Sequence, residues 1–239
     1  MIKPGLIRIT HNENEKEFTF DNFNNNNKEE WGNENSIGRI EEHAWVQRYE
    51  YEASLINNLI DENPHIKKVL EIGSGPGILS NNIQEKHTNL DYHLIDKKNA
   101  KKYFVDNKLK GTFFVKDLAN NFDTTHLLDT YDLVITNDFL EHIRNPSLIV
   151  ETIHKLTNDD SLYFISNPNW RMGHQFIYRG LFDFDNFIYF LHVHKFELLG
   201  FYGSNLKTPN YPRITSEKML PDENLYDWNH YMIFKHRKL

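Results

Sequence analysis

Between Pro64 and Ile165 the chain alternates short runs of apolar residues with longer stretches in which apolar positions recur every three or four residues. The short runs are 69–72, 92–95, 112–115, 133–135 and 162–165, and such runs read as strands buried on both faces. Between them, 78–86, 99–107 and 146–156 carry helical spacing, with Pro146 placed where the first turn of a helix tolerates it. Strands alternating with helices predict a parallel sheet covered on both sides. Upstream, Ile40, Ala44, Tyr51, Leu55 and Leu59 recur at helical spacing, so 37–60 reads as one or two amphipathic helices that Asp61-Glu62-Asn63-Pro64 stops. Residues 10–36 are rich in Asn and Glu. They read as a polar leader, or as a lid, because Phe18, Phe20, Phe23 and Trp31 give the stretch something to bury. Beyond Ile165 the pattern loosens into an aromatic-rich stretch, 176–201, and a Pro- and Asn-containing loop. The run Tyr231-Met232-Ile233-Phe234 then reads as a last strand with a basic tail.

Composition narrows the classes. A length of 239 residues fits one α/β domain with an extension, and 17 Phe and 12 Tyr promise a core built on rings. The net charge of -7 argues against a nucleic-acid-binding body. Cysteine is absent, which excludes disulfides, thiolate metal sites and cysteine nucleophiles. No signal-peptide pattern and no membrane-length apolar run occurs, so the expected compartment is the cytoplasm. No metal is expected: Glu141 and His142 offer two ligand types without a third in register.

The most informative segment is Val69-Leu70-Glu71-Ile72-Gly73-Ser74-Gly75-Pro76-Gly77, where a buried strand meets three alternate glycines and a helix follows. Glycine serves where the backbone takes unusual dihedrals or lets a ligand lie against it, and in open α/β sheets ligands lie beyond the strands' carboxyl ends. A phosphate loop would need a Gly-Lys-Ser/Thr ending, which is missing. A dinucleotide turn would need a third glycine at Ile78 or Ser80. A glycine turn without any ligand is the bland alternative. The spacing of Glu71, Gly73, Gly75 and Gly77 resembles the first motif, E-x-G-x-G-x-G, of class I S-adenosylmethionine-dependent methyltransferases. Leu94-Ile95-Asp96 ends the second strand with an acid, and Tyr131-Asp132-Leu133-Val134 with Leu140-Glu141-His142 resembles the FDLV…LEH segment of small-molecule methyltransferases such as those of ubiquinone biosynthesis.

That resemblance, over about residues 66–166, implies a Rossmann-like, doubly wound α/β fold with a seven-stranded sheet whose last strand is antiparallel. It divides the chain into the leader 1–36, N-terminal helices 37–64, a cofactor-binding core 66–166, an acceptor-side insertion with loops 167–228 and the last strand 229–239. S-adenosylmethionine is the implied cofactor. It would be held by Glu71, Gly73, Ser74, Gly75, Gly77, Asp96, Lys97, Asp117, Leu118, Asn137 and Phe139, with Asp96 on the ribose hydroxyls and Asp117 on the adenine amino group. Asp117 could equally cap a helix. Trp45, Arg48 and Tyr49 are candidates to close over the cofactor.

Methylating a hydroxyl needs alignment, water exclusion and removal of a proton. His142 is one candidate base. The stretch Arg179 to Phe196 resembles an acceptor-side insertion, G-x-F-D-Y…H-L-R-F-F, of methyltransferases from sugar and surface-polysaccharide pathways, which adds His192 and His194 as bases. The helix after it reads as shortened by Gly200 and Gly203. Trp170, Tyr178, Phe182, Tyr226 and Trp228 are candidate acceptor contacts. Asn167-Pro168-Asn169-Trp170 departs from the N-P-P-[FYW] signature of amino-methylating enzymes in its second Pro and its strand. The expected activity is O-methylation of a small molecule, a sugar or sugar-nucleotide hydroxyl first and a quinone or phenol second. A non-catalytic methyltransferase-like binding protein and a dehydrogenase are the alternatives of other classes, and a monomer or homodimer is expected.

Overall fold

The computed structural model describes residues 43–75, 77–97, 110–116, 118, 127, 130–143, 145–168, 181, 184–204 and 229–237. Chain order gives helix α1 (His43–Glu62), strand β1 (Lys68–Ile72), α2 (Ile78–Lys86), β2 (Asp91–Asp96), β3 (Thr112–Val115) and β4 (Tyr131–Asn137). A short 3-10 turn (Leu140–His142), α3 (Pro146–Lys155), β5 (Thr157–Pro168), α4 (Phe184–Val193), β6 (Phe196–Ser204) and β7 (Asn229–His236) complete it. The seven strands lie in the order β3-β2-β1-β4-β5-β7-β6. β1 to β5 are parallel, while β7 runs antiparallel to both β5 and β6. The expected Rossmann-like sheet with an antiparallel last strand is therefore present.

Alternation along the strands assigns two cores. Leu70, Ile72, Val134, Tyr163 and Ile165 face α3 and α4, where Ile149, Val150, Ile153, Phe187 and Leu191 meet them. Val69, Leu133, Ile135, Leu162 and Phe164 face α1 and α2 through Tyr49, Ala53, Ile56, Leu59, Leu79 and Ile83. Burial of such aliphatic and aromatic side chains contributes roughly 1.5–3 kcal/mol each. Asp132 supports the opposite end of the sheet, its Oδ2 accepting the Lys67 and Lys68 backbone N–H groups at 2.8 Å each.

One element differs from its sequence reading. Gly200 and Gly203 do not shorten a helix; they lie within β6, where the register shifts between Leu198 and Gly200. Glycine in a strand weakens it or marks a bulge, and here it accompanies one at the sheet's edge. The leader 10–36 and the expected helix 99–107 lie outside the described residues.

Candidate active site

The parallel strands align their carboxyl ends, so the residues that follow β1, β2, β4 and β5 gather along one edge together with the start of β7. Gly73, Gly75 and Gly77 all have positive φ, of 74°, 53° and 80°. Gly73 and Ser74 donate their N–H groups to the Ile95 carbonyl at 2.8 and 3.3 Å, which binds the turn to the end of β2. A Cβ on Gly75 would meet nothing within 4 Å. This position is bare backbone facing open space, next to the start of α2, where Gly77 is the cap and brings no side-chain capping bond.

Asp96 completes the turn from below. Its Oδ2 accepts the Gly75 N–H and its Oδ1 the Lys97 N–H, both at 2.6 Å. A carboxylate has about four acceptor positions, so an acid here suits the hydroxyls of a ligand. Glu71 points elsewhere. Fully buried on the α1–α2 face, its Oε2 accepts the Ser80 hydroxyl at 2.5 Å and the Tyr92 hydroxyl at 2.9 Å. Burial pushes its carboxyl up to about 7, against the pull of those two donors. Glu71 thus fastens α2 and β2 beneath the turn.

The other wall comes from β4. Asn137 ends that strand and Asp138 follows at φ 44°, a left-handed conformation that turns Phe139 against Gly73. Leu140 and Glu141 are buried, and His142 stands half-buried with its Nε2 3.9 Å from Glu141 Oε1. A polar network holds the turn. Arg48 of α1 contacts Asp138 Oδ2 at 2.6 Å through Nη2 and Glu52 Oε1 at 3.1 Å through Nε. Asp138 Oδ1 accepts from Ser166 Oγ at 2.9 Å and Asn229 Nδ2 at 2.8 Å, and Asn137 Nδ2 donates to Glu52 at 3.0 Å. Burial works against Arg48's charge, but Asp138 and Glu52 more than offset it and keep the guanidinium protonated. Tyr49 lies buried beside it, its ring centroid 5.2 Å from the guanidinium carbon.

Several buried polar atoms at this edge have no protein partner: Ser74 Oγ, Asn137 Oδ1, Asn229 Oδ1 and both amide atoms of Asn167. Leaving such groups unpaired costs about 1–3 kcal/mol each, so their concentration here marks a place built to receive a polar ligand.

A family model described as a methyltransferase domain matches residues 44–199. The chain belongs to this methyltransferase family. The ubiquinone biosynthesis O-methyltransferase of Haemophilus ducreyi is 29% identical over 109 residues, 43% of this chain and 46% of the relative. This methyltransferase therefore spans about half the length of the curated relative it matches. A solved plantazolicin methyltransferase, BamL, in complex with a triazolic desmethylPZN analogue and SAH, has a TM-score of 0.63 at 14% identity, covering 85% of this chain and 90% of that one. An S-adenosylmethionine-dependent methyltransferase from Clostridium acetobutylicum gives 0.58 at 10% identity, with 80% and 92% covered. At these identities the likeness is one of fold.

The residues present fit S-adenosylmethionine, the cofactor that the glycine motif implies: open backbone at Gly75, an acceptor-rich carboxylate at Asp96, and unpaired oxygens on Ser74 and Asn137. Lys97 contributes its N–H to Asp96, and Leu118 is buried in the α3–α4 core. Asp117, Trp170, Tyr178, Phe182, Tyr226 and Trp228 lie outside the described residues, as does the Trp45 side chain.

The two histidines of the insertion are not brought to this edge. β6 runs parallel to β1, so the chain enters it at the amino edge, and His192 and His194 stand just before that entry. The Lys195 N–H bonds the His192 carbonyl at 2.9 Å, and Arg237, beyond the end of β7, bonds Lys195 there at 2.8 Å. Strands of this length separate the two edges by roughly 20–30 Å, so His192 and His194 are too distant to act as base at the glycine turn. Sequence reasoning missed Glu52, Asp138, Ser166 and Asn229, and met Asn167 only in a signature from which the chain departs. The available signal was polar residues interrupting apolar strand ends.

Proposed function

We propose that this methyltransferase transfers the methyl group of S-adenosylmethionine to a hydroxyl oxygen of a small molecule, a phenol in the first instance. When bound, the cofactor supplies a methyl on a positively charged sulfur, which any well-aligned nucleophile can attack. The chain's own residues hold the adenosyl part at Gly73–Gly77 and Asp96, exclude water with Phe139 and α1, and take the acceptor's proton at His142, whose Nε2 lies 3.9 Å from the Glu141 carboxylate that would meet its charge. The observation that carries the reading is the convergence of the open glycine turn with the Glu141–His142 pair at one edge.

The phenol reading draws on two supports. The Haemophilus ducreyi relative is by name an O-methyltransferase of ubiquinone biosynthesis. Moreover, imidazole as a class of base is matched to a phenol, with a pKa near 10, far better than to an aliphatic alcohol. The sugar or sugar-nucleotide acceptor read from the insertion draws no support from its described histidines, which stand at the other edge.

The test is transfer of tritiated methyl from S-adenosylmethionine to a panel of catechols, hydroxyquinols and sugar nucleotides. Label on a phenolic oxygen supports the proposal. Label confined to sugar nucleotides or to nitrogen overturns it.

A further inference from the structure

Ile72 of β1 pairs with Thr136 of β4, so Gly73 and Asn137 come off neighbouring strands side by side. Directly against Asn137 lies a cluster with, among the described residues, one cation and two carboxylates, Arg48 between the buried Glu52 and the half-buried Asp138. Glu52 is 0% exposed. Arg48 and Tyr49 of α1, Asn137 of β4, Asp138 beyond it and Tyr231 of β7 all act on it, with the Tyr231 hydroxyl donating to its carboxylate. Glu71 of β1 acts on Tyr49 from the next strand. With both carboxylates ionised, Arg48 balances only one.

A lone buried charge is costly, and burial pushes Glu52 up to about 8 despite Arg48. Near pH 7 it therefore carries a proton in the ligand-free protein. Two further atoms beside the cluster present negative dipole ends that suit a positively charged ligand. Asn137 and Asn229 spend their amide N–H groups on Glu52 and Asp138. Their Oδ1 atoms, both buried, have no partner, so each amide has its negative end unused.

We propose that Glu52 is the counter-charge for the sulfonium of the methyl donor, ionised while S-adenosylmethionine is bound and protonated when the site is empty or holds the uncharged thioether product. The inference rests on reading the glycine turn as the cofactor's cradle. On donor binding, the Glu52 O–H bond breaks, the proton goes to solvent, and the carboxylate's charge is met by the sulfonium. Loss of the methyl group removes that positive charge, a proton returns from solvent to Glu52, and the hold on the product weakens.

Calorimetric titration at pH 7 with S-adenosylmethionine and with S-adenosylhomocysteine, each in phosphate and in Tris, counts the protons released. The two probes share amino and carboxyl groups and differ in the charge on sulfur. The donor is expected to release close to one proton more than the product, and its affinity to rise about tenfold per pH unit between pH 6 and 8 relative to the product's. Glu52→Gln is expected to abolish the difference while leaving product binding within threefold. Equal release by both probes, or a difference that persists in Glu52→Gln, overturns the inference. Should the variant not fold, the two-buffer comparison on the unaltered protein decides alone. Failure of both probes to bind overturns the cofactor reading itself, a distinguishable result.

Discussion

The ring of Phe139 fills the space that a side chain on Gly73 would need: a Cβ there would lie 2.3 Å from the ring's Cδ2. Gly73 also has φ 74°, where an L-residue is strained. Gly73→Ala should therefore lower stability by about 1–3 kcal/mol from backbone strain, with more from displacing the ring. Trimming the ring in Gly73→Ala/Phe139→Ala should relieve only the steric part. Gly75 has a positive φ but open space around it, so Gly75→Ala should cost less stability and still lose S-adenosylhomocysteine binding. Urea melts and calorimetry check both variants. Wild-type behaviour in either would remove the turn from the site.

Asp96 acts on the same turn through charge. Asp96→Asn keeps one oxygen but places an amide donor against either the Gly75 or the Lys97 N–H, where the carboxylate accepted both. Hydrogen bonds to charged groups contribute about 1.5–3 kcal/mol. Binding of S-adenosylhomocysteine should weaken by about tenfold to a hundredfold on that basis. Affinity within a factor of two of wild type would show that Asp96 merely shapes the loop.

Which of these features could be read from sequence follows from how local their causes are. β3 and α2 coincide with the apolar run 112–115 and the periodic stretch 78–86, because each is decided by its own residues. The glycine turn and Asp96 were legible by spacing, since a β-turn-α-β unit fixes their separation. β6 was not, because its alternation breaks at the Leu198–Gly200 shift and its two glycines mimic a helix stop. The Arg48–Asp138–Asn229 network was invisible, because its members come from α1, the turn after β4 and β7, and meet only once α1 packs on the sheet and β7 pairs with β5. His192 misled for a related reason: a motif gives chain position, while strand direction decides which edge of the sheet it occupies.

Arg48 joins α1 to the turn after β4, so removing it leaves the half-buried Asp138 carboxylate without its cation and takes away the Nε contact to the buried Glu52. Breaking a buried ion pair from one side typically costs about 3–5 kcal/mol. Arg48→Met should approach that loss in urea melts. Arg48→Met/Asp138→Asn should recover part of it, since the neutral amide no longer needs a counter-charge. Additive losses in the double variant would contradict the pairing.

Glu71 predicts a pH dependence with a definite sign. Its folded carboxyl, pushed up to about 7 from 4.5 by burial, binds its proton more tightly than in the unfolded chain. The stabilisation linked to that proton is complete below pH 4.5 and is lost as pH rises towards and through 7, on the order of 3 kcal/mol. Glu71→Gln keeps an oxygen for the Ser80 and Tyr92 hydroxyls and has no proton to lose. Relative to wild type it should grow more stable between pH 5 and 8. A constant difference in melting temperature across that range would exclude the effect.

The base is the last test, and the sheet's two edges make it sharp. His142 stands beside Glu141 just past β4, on the edge that carries the glycine turn, whereas His192 and His194 flank the entry to β6 on the other. A positioned base typically contributes 10²–10⁴-fold to rate. His142→Gln should therefore reduce kcat on a phenolic acceptor by about that range while leaving S-adenosylhomocysteine affinity within a few-fold. The loss should shrink as pH approaches the phenol's own pKa near 10, where solvent hydroxide ionises the acceptor without help. His192→Ala and His194→Ala should turn over at wild-type rates. If instead the His192 variant slows and the His142 variant does not, the edge assignment of the base fails, because no residue at the entry to β6 can reach an acceptor at the glycine turn.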